Sequence, residues 1–336
     1  MNKRKRLLAL LINGMLLSSI CVASAADGTV GAGNGVAYGT GSNAPKAENV
    51  AIGNNAGIGY SNGASAATGD IVVGNSANIN NYASQGGSVA IGKNAKIENM
   101  AGGVEASFAL GQTTYSGNWL SSSRIPADPT KVVGSVAIGD NTFARTGSTM
   151  VGSHNYNGAL GDTTVNSAST RTDALGVYAT TVGANSFSNG AFTTSTGSYN
   201  IISSDYTGGR FSNVTKNLGA TINGSLNSVE SKTGSYYSGI GNTITGVANR
   251  TANSNGSLIF GAGNEITNSL MDLDGTPTDG GASAKDFADS LRTSIRASNS
   301  GGSTMAFGGG NRADYTLRTA LVGVNNTVTG TSGAAS

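Results

Sequence analysis

Short apolar runs punctuate the chain, and glycine closes each of them. The clearest are Val50-Ala51-Ile52-Gly53, Ile71-Val72-Val73-Gly74, Val89-Ala90-Ile91-Gly92, Phe108-Ala109-Leu110-Gly111 and Val136-Ala137-Ile138-Gly139. Looser copies end at Gly152, Gly183, Gly261, Gly308 and Gly323. Val and Ile favour strands, and side chains alternate across a strand. Val50 therefore shares a face with Ile52, Val89 with Ile91, and Val136 with Ile138; this row is read as the core. The alternate row, Ala90, Ala109 and Ala137, would then form a flat outer surface that another chain can approach closely. Each glycine marks a corner, because it tolerates a positive φ that Val does not. Asn, the next most tolerant residue, often follows, as in Asn54-Asn55 and Asn325-Asn326.

Runs this short cannot bury a core alone, but stacked coils can. The best copies recur on the order of 13 to 28 residues apart, in the range of β-helix coils, and some longer intervals are expected to hold two coils. The predicted class is all-β, a parallel solenoid of short coils. Composition agrees: glycine supplies 52 residues, proline only 4, and charged residues 11%. A disordered glycine-rich linker would lack recurrent β-branched runs.

These residues resemble the heads of trimeric autotransporter adhesins, the YadA-like family. The family's head repeat is Asn or Ser, then Val-Ala-Ile-Gly, then Asn and small residues. Asn49-Val50-Ala51-Ile52-Gly53-Asn54-Asn55-Ala56, Ser88-Val89-Ala90-Ile91-Gly92-Lys93-Asn94-Ala95 and Ser135-Val136-Ala137-Ile138-Gly139-Asp140-Asn141 match it closely. The resemblance is strong over 49–152 and recurrent to Gly330. It implies a left-handed parallel β-roll, a homotrimer, display on the bacterial surface and outer membrane, and adhesion to a host matrix protein or a cell-surface glycan or protein. The family's coiled-coil stalk and membrane barrel are not recognised before Ser336: there are no heptads and no alternating aromatic strands.

The first residues read as an export signal. Lys3 to Arg6 are basic, Leu7 to Val22 are mostly apolar, and Ala23-Ser24-Ala25 fits a cleavage site. The expected division is a signal peptide, 1–25, and a head, 26–336. The one cysteine, Cys21, falls within the signal, and the bulky Ile20 before it opposes lipid attachment. Without the signal the chain would hold no disulfide and no thiolate metal ligand. The balance of Lys+Arg 20 against Asp+Glu 18 becomes 16 against 18 once the four basic leader residues are gone. That is a poor footprint for nucleic acid.

Two stretches break the repeat. The stretch 115–131 carries Trp119, Arg124, Pro126 and Pro129 and reads as a loop. Trp119 and Arg124 are its candidate ligand contacts, beside the plainer reading of a ring packed on its own loop. The stretch 265–304 holds a helix start at Ser283-Ala284-Lys285-Asp286, followed by Phe287, Leu291 and Ile295 at helical spacing. Asp272-Leu273-Asp274-Gly275 within it is turn chemistry, since a calcium loop needs more oxygen ligands.

Catalytic motifs do not survive inspection. Gly87 to Lys93 imitates a phosphate loop, but Asn94 replaces the required Ser or Thr, and Ser135 to Gly139 is the same unit without the Lys. His154, the sole histidine, has no nucleophile elbow around it and reads as a turn or solvent-facing residue. No catalytic residue, cofactor or metal site is nominated. The expected function is that of an adhesin head without enzymatic activity, acting through an extended surface. The alternatives are a solenoid polysaccharide-degrading enzyme, which needs converging carboxylates, and a purely structural spacer or fibre.

Overall fold

The computed structural model describes residues 30–60, 69–81, 86–99, 134–157, 178–204, 216–231, 238–270, 284–297 and 302–332. It is an all-β parallel solenoid. Each coil contributes one strand to a long sheet, here sheet A, which holds 13 strands in parallel order from Val36–Tyr38 to Ala320–Val324. The chain then turns and contributes to the opposing sheet B. Sheet B comprises four strands in the first coils, seven in the last, and a run of bridges through Phe143, Tyr156 and Phe187 between them. Every strand of sheet A pairs directly with its counterpart in the next coil. Val89–Ile91 pairs with Val136–Ile138, and Leu258–Ala262 with Met305–Gly309. The longest interval between recognised copies, Gly183 to Gly261, holds several coils, with strands at Thr194–Ser198, Thr221–Ser225 and Thr243–Val247 inside it. Phe108 to Gly111, counted among the copies, lies outside the described residues. So do 1–25 with Cys21, the loop 115–131 with Trp119 and Arg124, and Asp272 to Gly275.

The two rows of the strand are arranged opposite to the expectation. Ala51, Ala90 and Ala137 are fully buried, whereas Ile52, Ile91 and Ile138 are more than one-third exposed. Val50, Val89 and Val136 are half-buried. The core is thus built on the Ala row, and the Val and Ile row faces outward. The reason lies seven residues further along each coil, where sheet B sends its own side chain inward. Ile58 follows Ala51 and Ile97 follows Ala90, and both isoleucines are buried. A large residue from one sheet leaves room only for a small one from the other, and close packing enforces that choice. Later coils use other combinations of the same positions, such as Ile222 with Val229 and Ile259 with Ile266. Buried polar residues, among them Thr181, Ser188 and Ser195, separate the two apolar clusters. The Thr181 and Ser188 hydroxyls lie 2.7 Å apart, within hydrogen-bond distance.

Glycine is required at the corner after sheet A. Gly92 has φ +132°, and a Cβ there would overlap the carbonyl oxygen of Gly139 in the next coil. Gly53, Gly74, Gly139, Gly152, Gly183, Gly261, Gly308 and Gly323 repeat the positive φ. Gly39, Gly197, Gly224 and Gly246 occupy the same place in coils not recognised in the sequence. Two residues on, a second left-handed position is usually Asn or Gly, as at Asn55, Asn94, Asn141 and Gly263.

One helix, α1 (Ala284–Ala297), is described, in the stretch where helical spacing was read. The interruption is shorter than 265–304, because Glu265–Thr267 is a strand of sheet B that pairs on both sides.

Candidate interaction surface

Three rows of side chains on the stacked coils carry the molecule's surface and interior chemistry. The first is the outer row of sheet A. Ile52, Val73, Ile91, Ile138, Val151 and Val182 lie in register on successive coils, and Ile71, exposed on the same face, pairs with Val50 and Val89 in the parallel line. Towards the other end stand Phe260 and Phe307, with ring centroids 6.4 Å apart, and then Val322, which is 75% exposed. Large exposed apolar patches are uncommon on soluble monomers.

The second row is a ladder of asparagines inside the same corner. Asn200, Asn227, Asn249, Asn264 and Asn311 are buried and stacked, and the line ends at Asn326. Asn249 Nδ2 donates to the Gly261 carbonyl at 2.7 Å, and Asn249 Oδ1 accepts from the Asn264 backbone N–H and side-chain amide, both at 3.0 Å. Each amide therefore satisfies backbone groups that the sharp turn leaves without partners in its own coil. In the early coils Ala56, Ala77 and Ala95 hold this place, three residues after the glycine. The Gly-x-x-Asn spacing in the later half is the signal that would have revealed the missed coils.

The third row lies before each strand of sheet A. Asn49, Asp70, Ser88 and Ser135 are buried there, and each of the first three accepts a hydrogen bond from the backbone N–H of the next. Asp70 is the one carboxylate among these four. Its Oδ1 accepts from the Ser88 N–H at 2.9 Å and its Oδ2 from Asn81 Nδ2 at 2.8 Å. Burial nevertheless pushes its pKa up to about 6, and burial pushes the neighbouring Tyr60 phenol up to about 12. Because the folded value of Asp70 exceeds that of the unfolded chain, the folded state holds the extra proton between about pH 4 and 6. Stability is therefore greatest below that window and falls as pH rises through it, by ~3 kcal/mol for a shift of about two units. Asp70→Asn removes the titrating group. Its melting temperature should lose most of the decline that the parent chain shows between pH 4.5 and 7.5. A decline of the same size in both proteins would refute the assignment.

The outer side of sheet B is charged in the later coils. Arg250 donates to Glu230 at 2.7 and 3.0 Å and to Glu265 at 2.7 Å, and Arg312 lies 3.4 Å from Glu265. The paired bond to Glu230 raises the Arg250 guanidinium further above its ordinary value. In earlier coils the same side carries Phe143, Tyr156 and Phe187, with neighbouring ring centroids 6.3 and 5.9 Å apart. Glu98 and Arg145 beside them are buried, their charged ends 4.0 Å apart.

His154 stands at an exposed corner in left-handed conformation, 3.5 Å from Asp140 and 3.3 Å from Asn141 Nδ2. That agrees with its reading as a turn residue. Lys93 and Asn94 lie at the equivalent corner, where Asn94 Nδ2 donates to Asn141 Oδ1 at 2.9 Å. The imitation phosphate loop is therefore one solenoid corner among many, continued by a strand at Lys96–Asn99. Among the described residues no group of three or more His, Cys, Asp or Glu side chains is placed to hold a metal ion. None of the described helices is long and apolar enough to cross a membrane.

Near α1, Ile295 faces Ile240, Leu258 and Met305 across a cleft of about 410 Å³. The helix thus sits at the edge of sheet A beside the corner that precedes the strands. No family model and no curated protein matches the chain.

Proposed function

We propose that the chain is the head of a trimeric bacterial surface adhesin, exported by its N-terminal leader and displayed at the outer membrane. The observation that carries this reading is the row of outward Val, Ile and Phe side chains on sheet A. In a lone protomer Ile91, Ile138, Phe260 and Val322 face water. Three copies around an axis would bury that row, and identical coils would place like residues at like heights. The repeat's resemblance to YadA-like heads supports the same assembly. Sheet B and its loops would then face outward and carry the adhesive contacts, as solenoids present extended surfaces rather than small pockets.

Light scattering on the exported chain tests the assembly. A trimer is expected, and the pair Ile91→Asp and Ile138→Asp should yield a folded monomer, because both positions are on the surface of the protomer. A folded parent chain that stays monomeric at micromolar concentration would refute it. For function, retention on immobilised matrix proteins or glycans without turnover is expected. Steady polysaccharide cleavage, abolished by changing one carboxylate, would replace the adhesin with an enzyme.

A further inference from the structure

The apolar row of sheet A does not run straight. Val182 is followed by Thr196, Asn223 and Thr245 at the same register, before Phe260 restores the row. In those three coils the exposed apolar side chains stand at the corner instead: Tyr199 and Leu226 three residues on, and Val247 two residues on. They are 56%, 60% and 44% exposed. Elsewhere the left-handed position of this corner holds residues suited to it, such as Asn185, Gly263, Gly310 and Asn325, while Val324 of the last coil is exposed at the register of Val247.

The exchange has a conformational cost. Tyr199 and Leu226 lie at φ +56° and +60°, the left-handed region that bulky side chains avoid. At the preceding corner Tyr178 and Phe192 also take positive φ, but their rings stack with centroids 5.3 Å apart. Tyr199 and Leu226 instead project into solvent. Beside them a groove of about 650 Å³ opens towards Phe187, Ile201 and Glu230 of sheet B. Strain of this kind persists where the position serves an interaction.

We infer that in these three coils the contact with a second copy of this chain leaves the face of sheet A and passes over the corner, through Tyr199, Leu226 and Val247. The inference rests on the self-assembly proposed above. A second copy is the occupant because the displaced residues join two stretches of one continuous apolar line, from Val182 to Phe260. In these coils the face carries Thr and Asn, and the corner beside it carries the exposed apolar side chains.

Thiol accessibility tests this. Cys21 is the chain's one cysteine, so with Cys21→Ser a single introduced thiol reports on its own site. Leu226→Cys in the assembled full chain should react with a maleimide at least tenfold more slowly than after dilution to protomers. Asn223→Cys, on the face of the same coil, should react at similar rates in both. Ile138→Cys serves as the reference for the straight part of the row and should be protected. Protection of Asn223→Cys with Leu226→Cys open would overturn the corner contact, as would both open with Ile138→Cys protected; either result leaves the assembly itself intact. If Ile138→Cys is open too, the assembly and the corner contact fall together. As a second readout, Leu226→Asn should weaken association tenfold or more while leaving the protomer's unfolding unchanged or raised. Association unchanged by Leu226→Asn would also overturn the corner contact.

Discussion

Ala137→Asp is expected to unfold the central coils. Ala137 is fully buried between Ala90 and Met150, and Ala144 is its neighbour on sheet B within the same coil. Among the described residues no cation lies on this inner row, so the carboxylate would be buried unpaired or would take up a proton at neutral pH. The expected loss is ~3–5 kcal/mol, the scale of an uncompensated buried charge. Ile138→Asp, one residue away, is the informative control. Its side chain leaves the opposite face of the strand, and the single protomer should keep its melting temperature within a few degrees. Thermal unfolding of both variants followed by circular dichroism, in dilute protein, decides the point. Equal destabilisation by the two would mean that the inner and outer rows are wrongly assigned.

The second large effect belongs to Gly92→Val. Two costs add at this position. At φ +132° a β-branched residue is strained by sterics within its own backbone. The new Cβ would also meet the Gly139 carbonyl, and a carbonyl of the neighbouring coil cannot move aside alone because the Gly139 N–H is itself bonded to Ile91. Together they should cost at least ~3 kcal/mol. In a solenoid each coil touches only its neighbours, so the damage should remain local. Hydrogen exchange should accelerate from about Ile71 to Met150 and stay slow in the coils beyond Asn242. Uniform acceleration would indicate a single cooperative unit instead. A variant with parental stability would remove Gly92 from the corner.

The same nearest-neighbour logic explains why the buried amides are stacked. An Asn in the interior of an isolated turn would lose its hydration with nothing in return. On a coil with neighbours above and below, the Asn249 amide donates to the next coil while its oxygen accepts from it. The amide therefore becomes useful only after stacking. Asn227, Asn264 and Asn311 repeat the arrangement.

Much of this protein could be read from the residues in order. The glycine-closed runs identify strands of a stacked parallel solenoid, because short β-branched segments have no other way to bury themselves. The glycines sit where the backbone demands positive φ, and Phe287, Leu291 and Ile295 lie within a helix. The looser coils ending in Gly197, Gly224 and Gly246 are not legible as apolar runs because Thr and Asn replace Val and Ile on the outward row. Alternation shows that two rows exist, but it does not say which is inside when both are apolar. That was decided by the facing sheet: Ile58 and Ile97 fill the narrow interior and admit only Ala51 and Ala90 opposite them. The number of coils in each interval was likewise decided by strand pairing. A residue's distance along the chain does not reveal how many coils an interval holds; the pairing of Val89–Ile91 with Val136–Ile138, and of Val182 through Thr196, Asn223 and Thr245 to Phe260, does.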